Sequence, residues 1–438
     1  MTAPGAPRPR VVILGGGFGG IYAARKLARA PVDVVVVDRT NHFVFQPLLY
    51  QVATAVLAPS DITVPIRWRL RAQRRNTAVA LAEVTHIDVE QRTVTLDRPP
   101  RQLSYDYLIV ATGARHAYFG HDAWERESPG LKSLADAEEI RRRFLLAFER
   151  AEWAESAEER QAEMTLVVVG GGPTGVELAG MIPPASRHTF RREFHNLDSR
   201  KARVIVLEGG QRLLPSFPES LSAAAKRQLE ELGVEVRLGA LVTSVDARGV
   251  DVRVSAKGAP TRIERIESRT VFWAAGNAAS PLGSQLGVPV DRAGRVAVDP
   301  DLSVPGRREV FVVGDLAAIK EDGREVPAVA PAAMQQGRCA ASNILHDLKG
   351  KPRQRFHYLN KGELATIGRH KAVASFGHGK IRVSGYIAWW TWLLVHIMYL
   401  AGFRNRAIVL LQWGFSYFTY QRGARIIPPG QQTVDGRR

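Results

Sequence analysis

The sequence predicts an α/β fold made of two Rossmann-like dinucleotide-binding domains and a C-terminal membrane-associated helical segment. Three observations support this prediction: a buried strand leads into a glycine-rich turn twice, each turn is followed by another strand ending in an acid, and residues 351–438 are basic and aromatic. The chain has 438 residues with 45% hydrophobic content, which is long enough for two or three domains with full cores.

The first unit begins with an apolar run at residues 11–14 that leads into a G-x-G-x-x-G turn. The glycines of this pattern permit a tight turn, close approach of a pyrophosphate and close packing of helix on strand. A helix is predicted at about residues 21–29, followed by a strand at 34–37 that ends in Asp38. Asp38 lies where a ribose-binding acid is expected. The three glycines are Gly15, Gly17 and Gly20.

The second unit repeats this pattern from the buried run at residues 166–169. Its acid is Glu208, which lies 33 residues after the last glycine, and we attribute the extra length to a proline-broken insertion at residues 183–202. An acid here favours NAD over NADP because it would repel a 2′-phosphate, although Arg212 nearby weakens that preference. The glycines of this turn are Gly170, Gly172 and Gly175.

Both units continue in the same way after the acid. A β-rich run at residues 77–96 precedes a strand and a small-residue turn containing Thr112 and Gly113, and a run at residues 234–254 precedes a similar turn at Gly276. Each half therefore predicts a Rossmann-like unit with a β-meander crossover.

A further buried strand, at residues 310–313, ends in Gly314 and Asp315. Such an ending lets the backbone approach a ligand and places a carboxylate where it can accept hydrogen bonds from sugar hydroxyls. The alternative is a simple helix N-cap. Because it follows the second unit, we interpret this strand as the return of the chain to the first domain.

Charge and cysteine content exclude several classes of protein. Residues 351–438 carry 14 Lys/Arg and 2 Asp/Glu, hence +12 of the net charge of +17. Nucleic acid is one partner for such a basic region, but its aromatic and apolar content favours an anionic membrane surface.

The single cysteine, Cys339, excludes an intramolecular disulfide, a zinc site built on several thiolates and a CxxC pair. We predict no metal site. Residues 1–10 contain no apolar run, so we expect no signal peptide. We therefore expect the nucleotide sites to lie in the cytoplasm.

Two uncharged segments, residues 383–403 and 407–421, dominate the C-terminal region. The first approaches the length of a spanning helix. Its tryptophans cluster at one end, however, and His396 lies in its middle. We favour two amphipathic segments in the membrane interface. A spanning hairpin and a buried core or dimer element are the alternatives.

These features resemble the two-dinucleotide-binding-domain flavoprotein reductases of glutathione-reductase-like fold. Within them the chain is similar to the type II NADH dehydrogenases, the single-chain NADH:quinone oxidoreductases. The similarity extends from about residue 11 to residue 427. The stretches that mark it are residues 41–53, 170–177, 331–337 and 361–369, and the first and last of these are much more specific than either glycine loop.

The resemblance implies FAD, bound non-covalently, in the first site and NADH as cosubstrate in the second. It assigns FAD binding to residues 1–160 and 281–350, NADH binding to 161–280 and membrane anchoring to 351–438. The residues implied at FAD are Gly15, Gly17, Gly20, Asp38, Thr112, Gly113, Gly314 and Asp315. Those implied at NADH are Gly170, Gly172, Gly175, Glu208 and Gly276.

The resemblance also implies catalytic residues. Glu177 would lie beside the nicotinamide, although a carboxylate near a helix N-terminus is also stabilising without any catalytic role. Gln335 and Lys361 would act at the acceptor, and Lys361 is otherwise a solvated loop cation. The quinone-binding residues implied are Gln46, Gln335, Gln336 and Lys361. One glutamine of the family's Ala-Gln-x-Ala-x-Gln signature is replaced by Pro331, which removes an amide donor.

The activity implied is oxidation of NADH with two-electron reduction of a membrane quinone, without proton pumping, at the cytoplasmic face of the cell membrane. The partners implied are NADH, a membrane quinone and an anionic lipid surface, with no nucleic acid and with a homodimer allowed. Two alternatives remain: a reductase of the same fold with a soluble acceptor, and a flavin-bearing protein whose basic C-terminus docks nucleic acid. Disulfide and sulfide:quinone reductases are disfavoured because they use cysteine pairs.

Overall fold

The computed structural model describes residues 8–254, 261–321 and 323–427. The chain divides into two compact units, each assembled from three separate stretches. Unit 1 consists of Met1–Val44, Thr63–Arg115 and Asn277–Lys361. Unit 2 consists of Phe45–Ile62, His116–Gly276 and Gly362–Arg438.

Unit 1 is built on a six-stranded sheet in which every neighbouring pair is parallel except the pair at one edge. The central strand, Arg10–Leu14, is apolar from its second residue onward and is buried there, as expected for a parallel sheet covered on both faces. In order across the sheet the strands are Ser303–Val304, Arg307–Val312, Tyr107–Val110, Arg10–Leu14, Asp33–Asp38 and Thr77–Leu81.

Two helices pack together on this sheet. The glycine-loop helix Phe18–Lys26 begins and ends about three residues earlier than predicted, because Phe18 and the glycines after it already form its first turn. Helix Ala330–Asp347 crosses it so closely that a Cβ on Gly337 would lie 2.2 Å from the Gly19 carbonyl oxygen. This crossing fixes the N-terminus of the glycine-loop helix.

The remaining elements of unit 1 are short. The predicted β-meander is present as Val84–Asp88, Thr93–Leu96 and Gln102–Ser104. The other strands and helices are His42–Val44, Thr63–Pro65, Ile66–Arg69, Arg71–Gln73, Asn277–Ala279, Pro281–Leu286, Val296–Ala297, Gly314–Leu316, Ala317–Ala318, Lys320–Glu321 and Arg324–Glu325, and strand Ala114–His116 runs through the chain boundary with unit 2.

Unit 2 repeats the architecture on a four-stranded parallel sheet, so the predicted second Rossmann-like unit is confirmed. Its strands, in order, are Val234–Leu238, Arg203–Glu208, Thr165–Val169 and Thr270–Trp273, and its meander is Ala240–Asp246, Gly249–Val254 and Arg262–Glu267. Sheet and meander share one apolar core.

The helices of unit 2 surround this sheet. The long helix Leu134–Glu152 begins with a capping box in which Ser133 and Asp136 hold each other's backbone N–H groups. The others are Gln46–Leu48, Leu49–Ala53, Pro59–Ile62, Asp122–Arg126, Ala157–Glu163, Pro173–Pro184, Ala185–Thr189, Ser199–Lys201 and Glu219–Glu231.

The two prolines at the start of the predicted insertion lie inside a helix rather than in a loop. Pro183 and Pro184 close the helix Pro173–Pro184, and the chain continues as a π-helix, Ala185–Thr189. The N–H of Ala185 bonds to Ile182. The carbonyl of Met181 instead accepts a hydrogen bond from Arg422, near the other end of this unit's sequence.

The C-terminal part of unit 2 combines a three-stranded antiparallel sheet with two helices. The strands are Glu363–Ile367, Lys371–Phe376 and Ile381–Ser384, and the helices are Tyr386–Tyr399 and Phe403–Thr419. Among the residues that the structure describes, none of the helices is long and apolar enough to cross a membrane.

Candidate active site

In unit 1 the first glycine loop forms an open cradle at a helix N-terminus. Gly15 has φ of +100°, and a Cβ on Gly20 would lie 1.8 Å from the Gly15 carbonyl oxygen, so neither position accepts a side chain. Above Gly17, by contrast, no atom lies within 4 Å of an added Cβ. This arrangement leaves room for a phosphate group against the free N–H groups of the helix.

Asp38 closes this loop from the neighbouring strand. One carboxylate oxygen accepts from the N–H of Gly16 at 2.6 Å, and the other accepts from the N–H and hydroxyl of Thr40 at 2.7 and 2.8 Å. The predicted ribose-binding acid is therefore tied directly to the predicted pyrophosphate loop.

Two further predicted cofactor segments lie at the ends of neighbouring strands in the same sheet. Thr112 follows strand Tyr107–Val110, and its hydroxyl oxygen is buried without a hydrogen-bond partner in the described chain. Gly113 has φ of +67° and open space around it. After strand Arg307–Val312, Gly314 donates its N–H to the side chain of Gln336 at 2.5 Å, and half-buried Asp315 follows.

The second glycine loop, in unit 2, reproduces the first in detail. Gly170 has φ of +110°, a Cβ on Gly175 would lie 1.9 Å from the Gly170 carbonyl oxygen, and the space above Gly172 is open. Glu208 accepts from the N–H of Gly171 and from that of Gly210, both at 2.6 Å.

Two residues near the second glycine loop, Arg212 and Gly276, have contacts of their own. Arg212, which could have favoured a 2′-phosphate, donates instead to the Pro215 carbonyl at 2.7 Å. Gly276, with φ of +73°, is covered by the exposed ring of Phe119.

Glu177 is half-buried, one turn into the helix that follows this loop. Burial raises the pKa of its carboxyl to about 8, and the N–H of Thr366, 3.4 Å away, offsets only part of that effect. Burial raises the pKa of Tyr50 well above its usual value too, and the negative charge of ionised Glu177 raises it further. The two side chains thus form one electrostatically linked pair inside unit 2.

A chain of hydrogen bonds leads from Tyr50 to the second C-terminal helix. The amide of Gln51 donates to the Tyr50 hydroxyl at 3.0 Å, and the indole N–H of Trp413 donates to the Gln51 oxygen at 2.7 Å. Tyr50 and Gln51 are both buried. No role was predicted for these three residues from the sequence. The polar pair Tyr50 and Gln51 within the otherwise apolar stretch at 47–53 was a signal that could have found two of them.

The predicted quinone residues have separate surroundings. In unit 1, Gln335 exchanges two hydrogen bonds with the backbone of Leu359, at 2.9 and 3.0 Å, whereas the oxygen of buried Gln336 is used by Gly314. Lys361 is exposed. In unit 2, exposed Gln46 donates to the carbonyl of Lys132 at 3.2 Å.

Pro331 occupies the first turn of helix Ala330–Asp347, after the N-cap Val329. The missing N–H costs nothing there, because first-turn N–H groups have no partner within the helix. The departure from the signature therefore leaves the helix start intact while removing one amide side chain.

The two C-terminal helices expose apolar side chains at helical spacing. Trp392, Leu393 and Val409 are buried in unit 2, and the opposite faces are accessible. The large exposed apolar residues are Tyr386, Ile387, Trp390, Leu394 and Met398 on the first helix and Phe403, Leu410, Leu411, Phe415 and Phe418 on the second.

Comparison with known proteins agrees with this geometry. Residues 9–337 match the pyridine nucleotide-disulphide oxidoreductase family, and residues 360–420 match the NDH2 C-terminal domain. The type II NADH:quinone oxidoreductase Ndh of Mycobacterium tuberculosis is 45% identical over 98% of this chain and 92% of its own. The chain belongs to the type II NADH:quinone oxidoreductase family. A mitochondrial relative, the internal alternative NAD(P)H-ubiquinone oxidoreductase A1 of Solanum tuberosum, is 30% identical over 93% of this chain and 86% of its own.

Solved structures confirm the family's fold. NDH2 from Plasmodium falciparum, solved in complex with NADH, is similar with a TM-score of 0.85 at 21% identity, over 96% of this chain and all of that one. The sulfide:quinone oxidoreductase of Aquifex aeolicus has a TM-score of 0.71 at 18% identity, over 94% and 95% of the two chains. The predicted glutathione-reductase-like fold class is confirmed.

Proposed function

We propose that this protein oxidises NADH and transfers both electrons to a membrane quinone through non-covalently bound FAD, without pumping protons. The observation that carries the proposal is the duplicated glycine loop, each copy with an acid bonded to its N–H. Two dinucleotides are what such a pair accommodates. The 45% identity to a relative named type II NADH:quinone oxidoreductase supports the choice of substrates.

We assign FAD to unit 1, because the residues there fit that group. The space above Gly17 suits a pyrophosphate, and Asp38 suits the adenosine ribose. The hydroxyl of Thr112, which is buried and has no hydrogen-bond partner among the described residues, would gain one from a polar group of the cofactor. Gly113, Gly314 and Asp315 would hold the remainder. The ranges 1–160 and 281–350 for FAD, 161–280 for NADH and 351–438 for the membrane stay predictions. Within the first of them, residues 45–62 and 116–160 belong to unit 2.

We assign NADH to the loop of unit 2. Gly170, Gly172 and Gly175 would hold its pyrophosphate, Glu208 its adenosine ribose, and Gly276 would allow a close backbone approach. The engagement of Arg212 with Pro215 supports NADH over NADPH, since it leaves Glu208 to set the charge at the ribose.

The chemistry of the reaction places few demands on the side chains. Bound FAD would supply a two-electron acceptor for hydride and a donor to quinone. The chain contributes binding, orientation and exclusion of water. Glu177, with a pKa of about 8, is mostly protonated at neutral pH and can both donate to and accept from the nicotinamide carboxamide. It therefore orients the cosubstrate without adding a buried charge.

The family resemblance implies Gln46, Gln335, Gln336 and Lys361 at the quinone. Of these we assign Gln335, Gln336 and Lys361, which all belong to unit 1, to the acceptor site. Gln335 is the amide we favour for a quinone carbonyl, because its present bonds to Leu359 are exchangeable at a partly exposed position. Gln336 is buried against Gly314 and would act by holding that loop in place.

We place the protein peripherally on an anionic lipid surface, at the cytoplasmic face. The exposed apolar faces of helices Tyr386–Tyr399 and Phe403–Thr419 support this, as do the exposed Arg404 and Arg406 in the first turn of the second helix. Replacing both Leu411 and Phe418 with Asp should release the protein from phosphatidylglycerol vesicles in a co-sedimentation assay. The matched control Ile263→Asp, at an exposed apolar residue of the meander, should sediment like the wild type; equal binding of all three proteins would refute the placement.

The activity is tested by NADH oxidation with and without a short-chain quinone. We expect rapid oxidation that depends on quinone, with flavin absorbance in the purified protein. Equal rates without quinone, or full activity with a soluble protein acceptor alone, would refute the proposed acceptor.

A further inference from the structure

Three arginines of unit 2 meet where the chain leaves the last helix. Arg369 donates to carbonyls in the last turn of helix Phe403–Thr419, and its guanidinium lies 3.7 Å from the ring centroid of Tyr420. Arg422, only 5% exposed, donates to the carbonyls of Thr54 and Met181. Arg425 donates through Nε to the carbonyl of Arg422 at 2.9 Å.

The positive charge of this cluster is largely uncompensated. Arg425 is paired with Glu193, but within the described residues no carboxylate lies at ion-pairing distance from Arg369 or Arg422. Both of these bond to neutral carbonyls, and Nη1 of Arg369 is buried without any hydrogen-bond partner in that part of the chain. Burial, together with the positive charges of Arg369 and Arg425, lowers the pKa of Arg422 to about 9. A buried cation is costly unless an anion lies close to it.

An open groove of about 620 Å³ adjoins two of these arginines. It is lined by Glu193, Phe415, Gln421, Arg422, Gly423, Arg425 and Ile426. Two arginines and one glutamate give the lining a net charge of +1, which matches one singly charged phosphodiester. The Phe415 and Ile426 side chains in the groove are 61% and 75% exposed, and Phe415 belongs to the apolar face of the helix.

We propose that this groove binds one anionic glycerophospholipid per chain. Its phosphodiester would bond to the guanidinium of Arg425, since guanidinium groups form short, directional hydrogen bonds with phosphate oxygens. It would lie beside the buried charge of Arg422, whose two terminal nitrogens already donate to Thr54 and Met181. Its acyl chains would follow Phe415 and Ile426, a contact that inorganic phosphate cannot use. The inference rests on the proposed membrane association, but it adds a single stoichiometric site to a diffuse surface attraction.

The test is calorimetric titration of the full-length, flavin-loaded protein in neutral detergent with dihexanoyl phosphatidylglycerol below its micelle concentration. We expect one site per chain. Arg425→Gln should weaken binding about tenfold, the effect of one charge-assisted hydrogen bond. Glu193→Gln should tighten binding several-fold, because it removes the competing carboxylate. Arg382→Gln, the same charge change at an exposed arginine outside the groove, should bind like the wild type.

Opposite signs for the first two variants keep the test informative even if one of them is poorly folded. Equal weakening by Arg425→Gln and Arg382→Gln, or weaker binding by Glu193→Gln, would overturn the inference. Equal affinity for dihexanoyl phosphatidylcholine, or full competition by inorganic phosphate, would overturn it too. Vesicle sedimentation and quinone-dependent NADH oxidation are measured on the same proteins. Intact results there with no lipid site refute this inference alone, whereas failure there refutes the proposed function.

Discussion

The two glycine loops, one in each unit, share a backbone design but differ in the helix that each one opens. In each loop the acid of the neighbouring strand accepts from the middle N–H at 2.6 Å, from Gly16 to Asp38 and from Gly171 to Glu208. The acids lie 18 and 33 residues after the last glycine. The same geometry therefore arises across very different chain lengths, because the extra residues fold outside the strand–loop contact.

The difference lies two residues after the last glycine of each loop. There the first helix carries Tyr22, whose ring centroid lies 4.8 Å from the guanidinium of Arg338, whereas the second carries Glu177, whose carboxyl has a pKa raised to about 8 by burial. A structural aromatic residue suits the retained cofactor that we propose for the first loop. A neutral, hydrogen-bonding carboxyl suits the exchanging cosubstrate that we propose for the second.

The largest effect is expected from alanine at the last glycine of each loop. A Cβ at Gly20 or Gly175 would collide with a backbone carbonyl, at a cost of about 2 kcal/mol or more in each loop. Gly20→Ala should abolish FAD retention, and Gly175→Ala should abolish NADH oxidation while flavin absorbance remains. Gly414→Ala, where an added Cβ meets no atom within 4 Å and which lies outside both loops, controls for folding. Loss of flavin in both variants would break the assignment of one dinucleotide to each loop.

Removing the carboxyl of Glu177 should have the next largest effect. Glu177→Ala should raise the KM for NADH or slow flavin reduction by about tenfold, the value of one or two buried hydrogen bonds. Tyr22→Phe, the matched change in the other loop, should leave NADH kinetics unchanged. Steady-state kinetics on both variants test this, and equal effects would remove the distinction between the loops.

The pKa of Glu177 makes a separate prediction for pH dependence. Because the folded-state pKa of about 8 exceeds the usual 4.5, folding favours the protonated form. That stabilisation is fully present below about pH 4.5 and is lost as the pH rises through 8. Relative to Glu177→Gln, the wild type should therefore lose thermal stability between pH 5 and 8, measured by calorimetry. Parallel curves would mean that the carboxyl is solvated.

Glu208→Gln should reduce the preference for NADH over NADPH by several-fold, because it removes the charge that repels a 2′-phosphate. The amide keeps one oxygen for the N–H of Gly171 or Gly210. Asp38→Asn should loosen FAD without changing that preference. The ratio of kcat/KM for NADH and NADPH measures the preference in both variants, and flavin absorbance of the purified protein measures how well FAD is retained. An unchanged ratio for Glu208→Gln would contradict the assignment.

The smallest effect is expected from Trp413→Phe, which removes the hydrogen bond to Gln51 and keeps an aromatic ring. We expect a loss of about 1 kcal/mol in stability and a small shift of the pH profile of NADH oxidation. Trp390→Phe, an exposed tryptophan on the other C-terminal helix, is the control. Identical pH profiles for the wild type and Trp413→Phe would show that the hydrogen bonds from Trp413 through Gln51 to Tyr50 do not influence Glu177.

The sequence predicted the two loops and their strands because glycine spacing and buried apolar runs are local patterns. Asp38 and Glu208, the acids at the ends of the neighbouring strands, were predicted from the same local patterns. The hydrogen bond from Gly314 to Gln336, 22 residues apart, and the hydrogen bond from Trp413 to Gln51, 362 residues apart, were not predicted, because no local pattern relates their partners.

The prolines at 183 and 184 show a different kind of failure. Their composition suggested a broken insertion, yet they complete a helix, and the carbonyl of Met181 is satisfied by Arg422. No local sequence pattern predicts that Arg422, 241 residues away, acts as hydrogen-bond donor to Met181.

The central claim is that one loop retains FAD and the other admits NADH for transfer to quinone, and anaerobic rapid-mixing absorbance tests it most directly. NADH should bleach the flavin absorbance of the purified protein, NADPH should do so much more slowly, and a short-chain quinone should restore it. Protein without flavin absorbance, or flavin that NADH reduces but quinone cannot reoxidise, would contradict the claim.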